Sequence, residues 1–179
     1  MMLIREAGEG DLDMVRVLLR EYAAYLNESV GEEHICLENY EKELRTLPAP
    51  YQAPGGTILL ATVEDTPAGV IALKPLKPER SAFPDERACE MKRLWVRPQF
   101  RGLNLGRLLS DELVEQARAR GYSAMYLDTM PATMRAANSI YTELGFLPVE
   151  RYGDNPVLRE LPGSEDNRSP GVMFFRLEL

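Results

Sequence analysis

VRPQFRGLNLGRLL, residues 96–109, joins an apolar, strand-like run to a leucine-rich helical one through an arginine, two glycines and an asparagine. Upstream, ACEMKRLWV reads as a strand on which Glu90, Lys92, Leu94 and Val96 share one side, with Cys89, Arg93 and Arg97 on the other. Downstream, Leu105, Leu108, Leu109, Leu113 and Ala117 keep helical spacing as far as Gly121, placed for a helix C-terminus. A strand that turns directly into a helix aims free N–H groups and the positive dipole end at one spot, which suits a phosphate. Gly102 and Gly106 permit close approach and positive φ, Asn104 tolerates left-handed geometry, and Arg101 and Arg107 add charge. A plain strand-to-helix turn with solvated arginines is the other reading, and the physics alone leaves both open. Neither GxxxxGK[ST] nor GxGxxG occurs there, so the common nucleotide cradles fit poorly.

Working outward, MLIREAG reads as a first strand, and DLDMVRVLLREYAAYL as a helix with Leu12, Val15, Leu18, Tyr22 and Leu26 on one face. LENYEKELRTL repeats the helical pattern until PAPYQAPGG stops it. GTILLATVE and VIALKPL form an expected hairpin turning at TPAG, and KPERSAFPDER a polar loop. SAMYLDTM is a strand, and MRAANSIYTELG a helix carrying Met134, Ala137, Tyr141 and Leu144 on one stripe. FLPVERYG and VMFFRLEL close the chain as strands on either side of a surface loop, NPVLRELPGSEDNRSPG. The expectation is an α/β (α+β) chain forming one domain over residues 1–179, with a mixed sheet.

With 179 residues, 45% of them hydrophobic, a single core needs no covalent staple, so Cys36 and Cys89 are expected as reduced thiols. The single histidine, His34, makes a poor metal site, and none is expected. A formal charge of −7 argues against nucleic-acid and anionic-membrane partners. The N-terminus turns acidic before an apolar leader segment develops and no run is long enough to span a bilayer, so a cytoplasmic location is expected.

The quoted stretch resembles the pyrophosphate-binding segment of the GNAT acetyltransferase superfamily: Arg or Gln, two residues, Gly, one residue, Gly or Ala. Arg101 and Gly106 match, and Asn104 replaces the middle glycine. AANSIYTELGF, which includes Asn138, resembles the family's late helix, with Tyr141, Leu144, Gly145 and Phe146 in register. Met134 stands where the family often has an asparagine, so that contact does not carry over. The resemblance covers essentially the whole chain and implies the acyl-CoA N-acyltransferase fold: about seven mostly antiparallel strands with about four helices on both faces.

It further implies acetyl transfer from acetyl-CoA to an amine in a ternary complex. The backbone of Leu94, Trp95 and Val96 would hold the thioester, and Arg101, Gly102, Leu103, Asn104, Leu105, Gly106, Arg107 and Asn138 the rest of the coenzyme. Amines of lysine type titrate near about 10.4, so a base must take a proton, and Glu90 occupies the position of a catalytic glutamate in some members. Pairing of Glu90 with Lys92, or simple attraction of a cationic substrate, is the alternative. Tyr141 is the candidate acid for the leaving thiolate. Asp128 is a candidate for the active-site side of its strand, and Trp95 is expected in the core. The acceptor would meet NESVGEEHIC and the stretch from Arg151 to Val172, where Arg151 and Arg159 could bind a carboxylate. A small-molecule amine is favoured over a protein, and a homodimer is one state the superfamily adopts.

Overall fold

The computed structural model describes residues 1–30, 37–81, 83, 85–130, 132–150, 152 and 171–179. Strands β1 (Met2–Glu6), β2 (Thr57–Val63), β3 (Thr66–Pro75), β4 (Ala88–Val96), β5 (Ala124–Thr129), β6 (Leu147–Val149) and β7 (Met173–Glu178) form one sheet in the order β1-β2-β3-β4-β5-β7-β6. All neighbours are antiparallel except β4 and β5. A parallel pair needs a long crossover, and α3 (Leu105–Ala119) supplies it. The other helices are α1 (Leu12–Val30), α2 (Leu37–Arg45) and α4 (Arg135–Glu143).

The sheet is covered on both faces. On one, Leu105, Leu109 and Leu113 of α3 and Tyr141 of α4 pack on Leu59, Ile71, Met91, Leu94 and Leu127. On the other, Val15, Leu18 and Tyr22 of α1 and Tyr40 and Leu44 of α2 pack on Leu60, Val70, Ala72 and Trp95. Each fully buried leucine contributes about 1.5–3 kcal/mol of burial free energy, and this two-layer arrangement gathers them from every helix stripe the sequence shows. Farther along that second face, Ala88, Tyr126, Tyr152 and Phe174 make a separate apolar cluster.

Two details differ from the sequence reading. The β2–β3 hairpin turns at Glu64 and Asp65, not at TPAG: Val63 pairs with Thr66, and both turn residues take positive φ. A two-residue turn of this hand matches the strand twist, and Pro67 enters β3 beside a bulge, where its missing N–H is tolerated.

The alternation expected along β4 breaks at Arg93. Val70 pairs with Trp95 and Ala72 with Lys92, so Arg93 and Leu94 together oppose Ile71, and Arg93 takes φ 64°. The extra residue of this bulge sends every later side chain to the opposite face. Leu94 and Val96 therefore leave the side of Glu90 and Lys92 and pack toward α3. Trp95 and Arg97 come round to the α1 side, where both donate to the Glu21 carboxylate, at 3.4 Å and 2.7 Å. Arg93 reaches α2 on that side too, 2.6 Å from Glu43 and over the Tyr40 ring, so neither arginine lies opposite Glu90.

Pairing of β4 with β5 is confined to Ala88–Glu90 against Ala124–Tyr126. Both strands continue, to Val96 and Thr129, so they part in mid-sheet. Beyond Glu90 no described strand pairs with the β5-facing edge of β4.

Candidate active site

The parted strands lead into the turn quoted above. Pro98–Phe100 forms one 3-10 turn, Gly102 takes φ 87° and Asn104, the residue before α3, takes φ 61°. Only glycine adopts the first freely, and asparagine is among the few that tolerate the second. Gly106 has no positive φ; it lies in the first turn of α3, where a Cβ would stand 3.1 Å from Ile140 Cδ1, so its role is close approach to α4.

The first helical bond of α3 runs from Leu108 N–H to Asn104 C=O at 3.1 Å. Among the described residues the N–H groups of residues 102–107 therefore have no backbone acceptor, and no acidic side chain sits in that first turn to offset the dipole. A groove of about 250 Å³ opens beside them. Its walls are β4 from Leu94 to Val96, the turn at Arg101 and Gly102, Met134 to Ala137 at the start of α4, and Tyr22 and Tyr25 of α1.

The expected cofactor residues take different positions in it. Leu94, Trp95, Val96, Arg101, Gly102, Leu105 and Gly106 line the groove, and Leu103 is exposed at its rim. Arg101 lies over the Tyr25 and Trp95 rings, 5.1 and 5.2 Å from their centroids, and its Nε donates to Val96 C=O at 3.3 Å. The Arg107 side chain turns away to Asp111 at 2.9 Å and Glu143 at 3.0 Å, tying α3 to α4, which leaves its N–H as its contribution to the turn. Asn138 donates to Met134 C=O at 2.8 Å, and its buried Oδ1 has no partner among the described residues. Asn104 holds the turn through its backbone, with no side-chain capping bond.

Tyr141 stands one residue beyond the groove-lining Ile140, its ring buried and edge-on to Phe146 at 5.9 Å. Burial pushes its phenol well above the usual range, so it is protonated at neutral pH. Among the described residues its hydroxyl makes no hydrogen bond, and the oxygen itself is not sealed from solvent.

Glu90 lies between the two apolar clusters of its face, in a row of charge. Lys74 approaches it at 3.1 Å and Lys92 at 2.9 Å, and the Tyr152 hydroxyl donates to it at 3.0 Å. Lys92 also bonds Asp128, so side chains span the parting of β4 and β5 where the backbones no longer pair. Burial alone would raise the Glu90 carboxyl, but the ammoniums of Lys92 and Lys74 outweigh it and hold it at about 2. A carboxylate so stabilised is a weak base. For Lys92, burial is outweighed by Asp128 and Glu90, which push it above its ordinary value and fix it as a cation.

Tyr25 escaped the sequence reading although it stands seven residues after Leu18, at the edge of the α1 stripe; Lys74 and Tyr152 escaped it because nothing local marks them as inward-facing. Asp128 does face the parted strands. His34, Cys36, Arg151 and Arg159 lie outside the described residues. No helix among the described residues is long and apolar enough to cross a membrane.

A seven-stranded mixed sheet parted at its centre, with four helices, is the acyl-CoA N-acyltransferase fold. Residues 18–146 match the model of the acetyltransferase (GNAT) family, and the chain belongs to that family. An uncharacterised N-acetyltransferase of Schizosaccharomyces pombe is 35% identical over 170 residues, 94% of this chain and 89% of that one. N-acetylaspartate synthetase of Danio rerio is 29% identical over 76% of this chain and 42% of its own length. Among solved structures, the PaiA N-acetyltransferase of Thermoplasma acidophilum in complex with coenzyme A has a TM-score of 0.71 at 18% identity, covering 100% of this chain and 99% of that one.

Proposed function

We propose that the protein transfers the acetyl group of acetyl-CoA to a primary amine of a small molecule, by direct attack in a ternary complex. The observation that carries this is the continuity of one groove from the unpaired edge of β4 to the bare N-terminus of α3. The free amides of residues 102–107 suit the coenzyme's diphosphate, with the helix dipole behind them. The open backbone of Leu94–Val96 suits amide groups of the pantetheine arm and the thioester oxygen, as an added strand would. In this reading Tyr141 is the donor to the departing sulfur, since its hydroxyl is protonated and bonds no other group among the described residues.

The acceptor enters from the face of Glu90, past α1 and α2. There Lys74, Lys92 and Arg93 are matched by Glu43, Glu90 and Asp128. A balanced row of this kind suits a compact polar amine more than a long polycation.

Calorimetry with CoA, acetyl-CoA, ATP and NAD tests the first half: heat with the two coenzyme A species alone is expected, and equal binding of all four overturns the proposal. Thiol release from acetyl-CoA in the presence of spermidine, putrescine, glycinamide and the common amino acids tests the second. No release with any of them overturns transfer to a small amine.

A further inference from the structure

Resting on that reading, we infer that Asp128 takes the proton from the attacking amine, and that Glu90 is a positioning residue that fixes Lys92 beside it. The placement follows from the sheet. Glu90 pairs with Tyr126 on the last rung that β4 and β5 share, so Asp128 and Lys92 stand two residues farther on, where the strands have parted. In the proposed reading the thioester would lie along the edge of β4 that bounds this gap.

The two carboxylates on Lys92 differ in access. The Glu90 side chain is 8% exposed and held by two ammoniums and a phenol, whereas Asp128 keeps 23% of its side chain exposed. Lys92 of β4 bonds Asp128, with Glu90 behind Lys92, and the phenols of Tyr22, Tyr141 and Tyr152 feel the Asp128 charge. Lys92 is a fixed cation and the three phenols are protonated, so none of these accepts a proton at neutral pH.

The step balances as follows. The acceptor arrives as an ammonium and gives one proton to the Asp128 carboxylate. The freed nitrogen lone pair forms the C–N bond, and the carbonyl π pair moves to oxygen. That pair returns as the C–S bond breaks, and the sulfur leaves with the bonding electrons and takes the Tyr141 proton. The amide nitrogen returns its second proton to the tyrosinate, and Asp128 releases the first to solvent.

The test compares wild type, Asp128→Asn, Asp128→Glu and Glu90→Gln as full-length chains, with acetyl-CoA and whichever of glycinamide, spermidine or aspartate wild type acetylates fastest. Asp128→Asn should lower kcat/KM about 10²–10⁴-fold at neutral pH and recover with unit slope as pH rises and the amine deprotonates itself. Glu90→Gln should lose about tenfold with the wild-type shape of profile, because Lys92 still holds Asp128. Asp128→Glu keeps the charge and should keep the alkaline plateau at a reduced rate; it also decides the matter if the asparagine variant does not fold. An Asp128→Asn profile parallel to wild type, or an Asp128→Glu profile without the plateau, overturns the assignment of Asp128 alone. Absence of coenzyme binding or of turnover in wild type overturns the parent reading instead.

Discussion

Replacing Gly102 by alanine probes the coenzyme cradle at the atom level. Gly102 has φ 87°, and a Cβ built there meets nothing within 4 Å, so the substitution adds no clash and acts through the backbone alone. A left-handed conformation costs an L-residue roughly 1–2 kcal/mol relative to glycine. In the free protein the exposed turn can relax to avoid that cost, and stability should change by less than about 1 kcal/mol. If the diphosphate sits on this turn as proposed, binding restores the strain and the affinity for CoA falls by about 5- to 30-fold at 1.4 kcal/mol per decade. Calorimetry measures the change, and quenching of Trp95, the sole tryptophan and part of the groove wall, gives an independent titration. Pantetheine, which lacks the diphosphate, is the control and should bind both variants alike. A Kd for CoA within twofold of wild type, or an equal loss for pantetheine, would show that these amides do not hold the diphosphate.

Tyr141→Phe should lower kcat about 10²–10⁴-fold while leaving the Kd for CoA unchanged, because the ring still fills its place beside Phe146; an unaltered rate removes Tyr141 from the mechanism. Leu109→Ala, at a fully buried position of α3, should cost about 2–5 kcal/mol in a denaturant melt, and a smaller loss would mean that α3 is packed less tightly than drawn. The Glu90 carboxyl is depressed to about 2 from an ordinary 4.5, so its contribution to stability is complete above pH 4.5 or so and is lost as pH falls toward 2. Glu90→Gln should therefore be less stable than wild type at pH 7, with the gap closing between pH 5 and 2; a gap independent of pH would place its cause in packing.

How much of this was legible in the sequence depends on the range of the interaction that decides each feature. Helical stripes such as Leu105, Leu109 and Leu113 are set by a local period, and the structure buries them as that period requires. The left-handed turn was readable because Gly102 and Asn104 tolerate a backbone that other residues resist. The facing of β4 was not. One bulge residue, Arg93, reverses everything after it, and what holds Arg93 in positive φ is a partner 50 residues away, Glu43, together with the Tyr40 ring. Nothing inside ACEMKRLWV announces that contact, so strict alternation put Leu94 and Val96 on the wrong face. The hairpin turn failed for a related reason: Pro67 and Gly69 look like turn residues, but the pairing of Val63 with Thr66 places the turn at Glu64 and Asp65, of which only the aspartate is a usual turn former. The candidate base shows the same limit in chemistry. Sequence offers Glu90 as a candidate base and Asp128 only as a residue on the active-site side of its strand, and the surroundings that separate them appear only when Lys74, Lys92 and Tyr152 from three segments converge on Glu90.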